Sequence, residues 1–453
     1  AGYAFAVCAI SPKRKGGPLP DAPWGLADVD LTPLQSGLVA LTLTVVVAFV
    51  IGLGLAPSGA QSGAGAATVS TLALLFVGHE VARNGIDLTR GGKAGLSFSP
   101  IGNATLQGRG WIYVALVGSI LLARLFRESR TGRLAQAARE DDLAARSMGI
   151  NPSVQQMIAL VLSVAVVSAG SALRVFELGS INPRLFFFDY TLLTLTMLIV
   201  GGRSSVTGAL AGVVLITAGS ELTRQLSGPN VDVAALDWLF REGLTDIFLG
   251  GAMLGFMILR PAGLFGDWEL DRWLLRSSRR AEAKPEAPPA AAVNETTLET
   301  RRVTVDFGGF RALDDVAMEA STEEVVGLIG PNGAGKTTLL NVITGLVAPS
   351  AGSVVAGSFS LNGSPSHVIA RAGVVRTFQN LRLFDDLTVR ENVEAARLMA
   401  HRHRSERPQP AIGALVSQVG LWELRDRRAA QLDYGYARRL ELARAAAAVP
   451  DFL

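Results

Sequence analysis

The chain has 453 residues, 49% hydrophobic and 18% charged, with a mean hydropathy of +0.34; that is room for two or three domains and too apolar for a chain soluble throughout. A formal net charge of +3 leaves no electrostatic footprint for nucleic acid, so no nucleic-acid partner is expected. The single cysteine, Cys8, excludes an internal disulfide framework and a cysteine-based zinc cluster.

Residues 1–10 start at Ala1 and read as the tail of a longer apolar segment, so an N-terminal truncation is expected. The stretches 36–56, 110–125, 155–178 and 240–259 approach the roughly 20 residues that cross a bilayer. Residues 67–83, 187–202 and 206–222 are shorter or more interrupted, and would be tilted or re-entrant. Gly208, Gly212 and Gly219 in the last of these suit close packing between membrane helices. Glu80 with Arg83, and Glu221 with Arg224, stand near segment ends. They read either as substrate contacts or as side chains reaching for the interface.

Arginines mark orientation. Arg124, Arg127, Arg130, Arg133, Arg139 and Arg146 form one cluster, and Arg260, Arg272, Arg276, Arg279 and Arg280 a second. Both are expected in the cytoplasm, and the even number of apolar segments between them agrees. Lys13, Arg14 and Lys15 stay unplaced, because the number of crossings before residue 110 is open. Residues 277–295 have the composition of an extended, solvated linker. Beyond it the chain is charge-rich: apolar alternation at Val303, Val305 and Phe307 predicts one strand, and the run 325–329 predicts a buried parallel strand. His401 and His403 lie in a basic stretch with no cysteine or third ligand nearby, so no metal site is predicted there.

The run 325–329 leads into Gly330-Pro331-Asn332-Gly333-Ala334-Gly335-Lys336-Thr337, a complete G-x-x-x-x-G-K-[ST] phosphate-binding loop. Its glycines let the backbone turn tightly, so that N–H groups point at phosphate oxygens. A helix then opens at Thr337, Thr338, Leu339 and Leu340, and its N-terminal dipole favours an anion. Lys336 is placed to reach the β- and γ-phosphates, and the Thr337 hydroxyl to ligate Mg²⁺.

Two sets of residues then resemble one family, the ATP-binding-cassette importers of branched-chain amino acids. In the second half, Phe307-Gly308-Gly309 with Ala312-Leu313-Asp314-Asp315-Val316 resembles the opening of the cassette. Arg376-Thr377-Phe378-Gln379-Asn380 resembles its glutamine loop, and Leu387-Thr388-Val389-Arg390-Glu391-Asn392-Val393 follows as in that subfamily. Leu432-Asp433-Tyr434-Gly435-Tyr436 stands where the signature motif belongs. In the first half, Leu88-Thr89-Arg90-Gly91-Gly92, Gly201-Gly202 with Gly208 and Gly212, and Arg260-Pro261-Ala262-Gly263-Leu264-Phe265-Gly266 resemble the matching permease. Ser204 and Ala209 stand where that turn usually has Gly and Pro. Ala144-Ala145-Arg146-Ser147-Met148-Gly149 resembles its cytoplasmic coupling loop, with Arg146 where many importers have Glu.

The resemblance implies a multi-domain chain. A polytopic α-helical membrane permease domain would cover 1–265, a cytoplasmic linker 266–295, and an α/β P-loop ATP-binding-cassette domain 296–453. It implies ATP and Mg²⁺ as cofactors, with Phe307, Asn332, Gly333, Gly335, Lys336, Thr337, Thr338 and Gln379 around the nucleotide. Thr337 and Gln379 would ligate Mg²⁺, and Phe307 would stack on adenine. Asp433, Tyr434, Gly435 and Tyr436 would face the nucleotide held by another cassette, although Asp433 replaces the usual Ser and Tyr436 the usual Gln. A carboxylate facing a γ-phosphate would repel it unless protonated or turned away. The family's Asp-Glu strand and its His switch do not occur before Leu453. A C-terminal truncation is therefore expected, and the chain as given is expected to bind ATP without hydrolysing it.

Implied partners are a second permease subunit, a second ATP-binding cassette subunit, an external (periplasmic) solute-binding protein and membrane lipid. The implied location is the bacterial inner membrane, multi-pass, with the cassette in the cytoplasm. The surface around 381–395 would receive the coupling helix near 140–150. Two alternatives stand beside branched-chain amino acid import: uptake of urea or a short amide by the same mechanism, and a non-hydrolysing, ATP-sensing membrane scaffold.

Overall fold

The computed structural model describes residues 1–10, 23–89, 95–97, 106–183, 188–226, 243–266, 268–269, 295–404 and 406–453. The linker expected over 277–295 lies outside the described residues except for Glu295. So do Lys13, Arg14 and Lys15, the stretch Arg90-Gly91-Gly92, and Arg272, Arg276, Arg279 and Arg280.

In chain order the helices of the first part are α1 (Gly2–Ala9), α2 (Pro33–Asn84), α3 (Leu106–Glu128), α4 (Arg130–Glu140), α5 (Asp142–Ser147), α6 (Pro152–Leu178), α7 (Phe188–Gly201), α8 (Val206–Leu226) and α9 (Leu244–Leu259). Short strands β1 (Leu96–Ser97) and β2 (Ser180–Ile181) pair antiparallel. Strands β3 (Thr297–Phe307), β4 (Phe310–Ser321), β5 (Ala351–Ala356) and β6 (Phe359–Ser360) follow, with helices α10 (Lys336–Ile343), α11 (Ser366–Ala372), α12 (Val389–His403), α13 (Ile412–Gln418) and α14 (Tyr434–Ala447). The chain forms two compact units, one of Ala1–Leu125 with Leu160–Glu282, the other of Phe126–Ala159 with Ala283–Leu453. The second unit therefore joins the cassette to the chain's own residues 126–159.

Four helical stretches are long and apolar enough to cross a membrane among the described residues: Pro33–Gly54, Gly110–Glu128, Pro152–Leu178 and Val206–Leu226. Two expectations change. Segments 36–56 and 67–83 belong to one continuous 52-residue helix, α2, because the small-residue stretch 57–66 that interrupts the apolar pattern is itself helical. At 1.5 Å per residue that helix is about 78 Å long, more than twice a bilayer core. The order of lengths also shifts: 206–222 extends to a spanning helix, whereas α9 has only 16 residues, about 24 Å of helix.

In the first unit the glycines explain how α7, α8 and α9 pack. A Cβ on Gly201 would overlap the Gly208 carbonyl, one on Gly212 the Met197 carbonyl, and one on Gly219 the Phe248 ring. The turn 260–266 folds back onto the same place: Leu264 N–H donates to the Val200 carbonyl at 2.8 Å, and a Cβ on Gly263 would collide with Gly202. Buried Glu269 accepts from Val206 N (2.8 Å), Thr207 N (3.1 Å) and Thr207 Oγ1 (2.7 Å), capping α8. A carboxylate there is favoured by the helix dipole. Two permease-like motifs quoted separately from the sequence thus form one packed junction. The ionisable pairs at segment ends are satisfied locally: Arg224 holds Glu221 through two bonds of 3.0 Å, and Glu80 meets Asn84 Nδ2 at 2.7 Å and Arg83 at 3.8 Å.

In the second unit the sheet order is β4-β3-β5-β6, with each neighbouring pair antiparallel. The predicted alternation in β3 holds for Val303 and Val305, which are buried, and ends at Phe307, which is 50% exposed at the end of the strand. Gly308 and Gly309, at φ 53° and 104°, make the two-residue hairpin turn into β4, a geometry that requires positive φ at both positions. Leu298, Val303, Val305 and Leu313 of the sheet pack on Leu339, Val342 and Ile343 of α10. A second core holds Val389, Val393 and Ala396 of α12 against Leu415, Val416, Leu440 and Ala443 of α13 and α14.

The buried parallel strand expected over 325–329 is not formed. These residues carry no strand assignment, and Val325 and Ile329 are 102% and 94% exposed. An apolar run becomes a buried strand only where neighbouring strands accept its backbone hydrogen bonds and cover both faces. None of β3 to β6 pairs with it.

Candidate functional site

The phosphate-binding loop keeps its turn without a strand before it. Gly333 and Gly335 sit at φ 86° and 82°, a region open to glycine at little cost. At Gly335 a Cβ would also press on the Ala312 carbonyl and Leu313 of β4, so the loop rests against the sheet. Helix α10 starts at Lys336, one residue before the predicted start, and no side chain caps it. Its first N–H groups are thereby left for an anion. Lys336 Nζ donates to the carbonyls of Gly330 and Pro331, each at 2.6 Å, curling the side chain over the loop. Asn332, Thr337 and Gln379 are exposed and Thr338 is half-buried. Uncapped helix, paired positive-φ glycines and a lysine folded over them fit a nucleotide's phosphates, and the free Thr337 and Gln379 side chains fit Mg²⁺ as oxygen donors. Phe307 is 50% exposed at the hairpin tip beside Phe310.

The glutamine loop is tied to this helix by contacts the sequence did not reveal. Arg376 Nη1 donates to Asn341 Oδ1 (2.6 Å) and Thr344 Oγ1 (3.1 Å) at the far end of α10, and its guanidinium lies 5.2 Å from the centre of the Phe378 ring. Phe378 is held in turn by α14: its N–H donates to Glu441 Oε1 at 3.1 Å, and its carbonyl accepts from Arg438 at 3.0 Å. Glu441 is fully buried and also bonded to Arg438. The signal for Glu441 is that it is the one carboxylate of α14, on a buried side that holds Ala437, Leu440, Ala443 and Arg444. On the same helix Asp433 stands at the N-cap, with no side-chain bond to the helix. Asp433, Tyr434, Gly435 and Tyr436 are all exposed.

Helices α4 and α5, from the first half of the sequence, dock on the cassette within the second unit. Leu134, Ala137, Ala138, Ala144, Ala145 and Ile150 share a buried cluster with Phe384, Leu387, Ala395 and Met399. Arg133 pairs with Glu394 at 2.7 Å and Arg382 with Asp141 at 2.9 Å. Glu140 accepts from the Asp386 N–H at 3.0 Å, and Arg371 Nε donates to the Gly149 carbonyl at 2.8 Å. Leu143 and Ser147 line a small cleft together with Thr344, Arg376 and Phe378. That cleft joins the docked helix, the end of α10 and the glutamine loop. Arg146, the residue that departs from the family pattern, is engaged by Asp142 on its own helix at 2.8 Å.

Asn392 holds the receiving surface in place. Completely buried, it accepts from Phe384 N at 3.0 Å and donates to the carbonyls of Phe384 (2.9 Å), Leu387 (3.3 Å) and Thr388 (3.1 Å). Thr388 and Glu391 form a capping box at the start of α12, the pattern that makes T-x-x-E a helix signal. Burial pushes the Glu140 carboxyl up to about 7, helped by the nearby Asp386 and Asp385 and opposed by the Asp386 N–H and Arg139. Burial, with Arg371 and Arg146 nearby, brings His367 down to about 4. The neutral ring then accepts from Asn151 Nδ2 at 3.2 Å. Among the described residues no cluster of metal-ligating side chains occurs, His401 and His403 included.

Residues 19–257, just over half of the chain, match the family described as branched-chain amino acid transport system / permease component, and residues 313–453 match the ABC transporter family. The chain belongs to the branched-chain amino acid transport permease family. It carries an ABC transporter ATPase domain on the same polypeptide. Relatives of that second part include the high-affinity branched-chain amino acid transport ATP-binding protein BraF of Pseudomonas aeruginosa, 40% identical over 34% of this chain and 67% of that protein. LivG of Salmonella typhimurium, of the same description, is 37% identical over 36% of this chain and 69% of its own length. The sulfate/thiosulfate import ATP-binding protein CysA of Bordetella pertussis is 41% identical over 35% and 44%. The chain thus spans about two thirds of the first two relatives and less than half of the third. Permease and ATPase of this importer family are fused here, and α4 and α5 pack on the cassette of the same chain.

Proposed function

We propose that this chain is a permease and ATPase subunit of an ATP-driven importer of branched-chain amino acids, placed in the bacterial inner membrane with its cassette in the cytoplasm. One observation carries the reading: the cleft shared by Leu143 and Ser147 of the docked helix with Thr344, Arg376 and Phe378, at the end of α10 opposite the phosphate loop. Through it, a change at the nucleotide reaches residues that continue directly into spanning helices. Lys336, the loop N–H groups around Asn332, Gly333 and Gly335, and Thr338 hold the phosphates; Phe307 meets the adenine, and Thr337 and Gln379 carry Mg²⁺. Bound Mg²⁺ would offset phosphate charge. The exposed Asp433–Tyr436 surface faces a nucleotide on a second cassette, and closure of the two cassettes moves the helices between inward and outward access. A second permease and an external solute-binding protein complete the assembly.

The solute assignment rests on the permease family, because cassette likeness extends equally to a sulfate/thiosulfate import protein. Uptake of radiolabelled leucine by the complete reconstituted complex tests the reading. Excess isoleucine or valine should suppress uptake and excess urea should not. Lys336→Ala should reduce it at least tenfold, and unchanged uptake in that variant would remove Lys336 from the mechanism. Suppression by urea alone would transfer the assignment to urea or short amides. Tight ATP binding without turnover in the complete complex would favour the scaffold.

A further inference from the structure

Helix α4 begins two residues after Glu128, the last residue of a candidate membrane span. Where it meets α12 and α13 the second unit has a cavity of about 180 Å³, lined by Arg130, Glu394, Arg397, Leu398, His401 and Ile412. This is more than a single water needs. The wall is unbalanced in charge. Its one carboxylate, Glu394, is already engaged by Arg133, which leaves Arg130, Arg397 and His401 as the other ionisable residues on its wall. Two guanidinium groups on one cavity match the geometry of an oxyanion better than that of water.

We propose that this cavity binds a phosphate-type oxyanion, held by Arg130 from α4 and by Arg397 and His401 from α12. So placed, the anion bridges the helix that follows a membrane span to the cassette helix that receives it, and its occupancy strengthens docking. The proposal rests on the docked geometry and not on the identity of the transported solute. The phosphate could belong to a dissolved small molecule or, since Arg130 lies just beyond a span, to an anionic phospholipid headgroup.

The test uses the full chain carrying Lys336→Ala, so that the nucleotide loop does not report on anions. Hydrogen exchange of 130–140 and 394–403 is followed in neutral detergent as inorganic phosphate replaces chloride at constant ionic strength. It is followed in parallel in nanodiscs of phosphatidylcholine with and without phosphatidylglycerol. Saturable protection by phosphate in detergent assigns a dissolved anion, and protection only with phosphatidylglycerol assigns a headgroup. In either case Arg130→Gln with Arg397→Gln should weaken the effect by about tenfold or more. Arg130 is exposed, so Arg130→Gln alone must still weaken it if the double variant misfolds. Absence of protection from both sources, or protection equal in the arginine variants, would overturn the proposal.

Discussion

Asn392 shows how one buried amide can organise a functional surface. It closes the turn 384–388 onto α12, and that turn presents Phe384 and Leu387 to the docked helix. Asn392→Ala would strand the Phe384 N–H in a dry environment, while the Phe384, Leu387 and Thr388 carbonyls keep the backbone N–H groups of Leu387, Ala429 and residue 392, so the cost is about 1–3 kcal/mol. A denaturation midpoint measured on the full chain should fall accordingly, with exchange at 384–388 rising first. Glu140 makes a second residue-scale prediction. Its carboxyl is raised to about 7 in the folded state, so the neutral form is the one docking favours. Stability from this group is present at acid pH and is lost as pH rises through about 7. The group is partly solvated, and the loss from pH 5 to 8 should be on the order of 1 kcal/mol after screening. Glu140→Gln keeps an acceptor for the Asp386 N–H and should flatten that pH profile. A slope identical to wild type would show that another group is responsible.

Elements were legible to different degrees. The phosphate loop, its helix and strand β3 followed from local rules: glycine at positive φ, a helix opening behind it, and apolar residues on alternate positions. The run 325–329 had the same local character and did not become a strand, because strand formation depends on partners that a local pattern does not contain. Segment 240–259 reads as long enough to span; among its described residues helix α9 covers Leu244–Leu259. The docking of α4 and α5 was expected from the resemblance, but its ion pairs link residues more than 240 positions apart and were not predicted. Arg133 and Glu394 are both largely covered, at 26% and 19% exposure. Arg133→Glu should therefore weaken docking by about 1–2 kcal/mol, read as faster exchange over 130–150. Adding Glu394→Arg should restore at least half of the loss, and a double-mutant cycle without coupling would show that the pair contributes nothing.

For the whole molecule, the arginine clusters and the spanning helix α6 set a topology that labelling can check. Residues 126–159 and the cassette form one unit; on the proposed reading both lie on one side of the membrane and α6 crosses it towards Ser180. In a Cys8→Ser background, an impermeant maleimide should reach Ser360→Cys only in inside-out vesicles and Ser180→Cys only in right-side-out ones. Labelling of both from one side would refute the assigned crossing of α6.

The sequence by itself determined the two-part character of the chain, the nucleotide loop and the family, because these depend on composition, on short-range spacing and on ordered motifs. Only the tertiary structure decided how the parts are connected. It joined Arg376 to Asn341, Phe378 to Glu441 and Asp141 to Arg382, and it brought the 201–212 glycines against the 260–266 turn. Those contacts arise from burial and from the need to pair polar groups removed from water, and both are properties of distant segments meeting rather than of any segment alone.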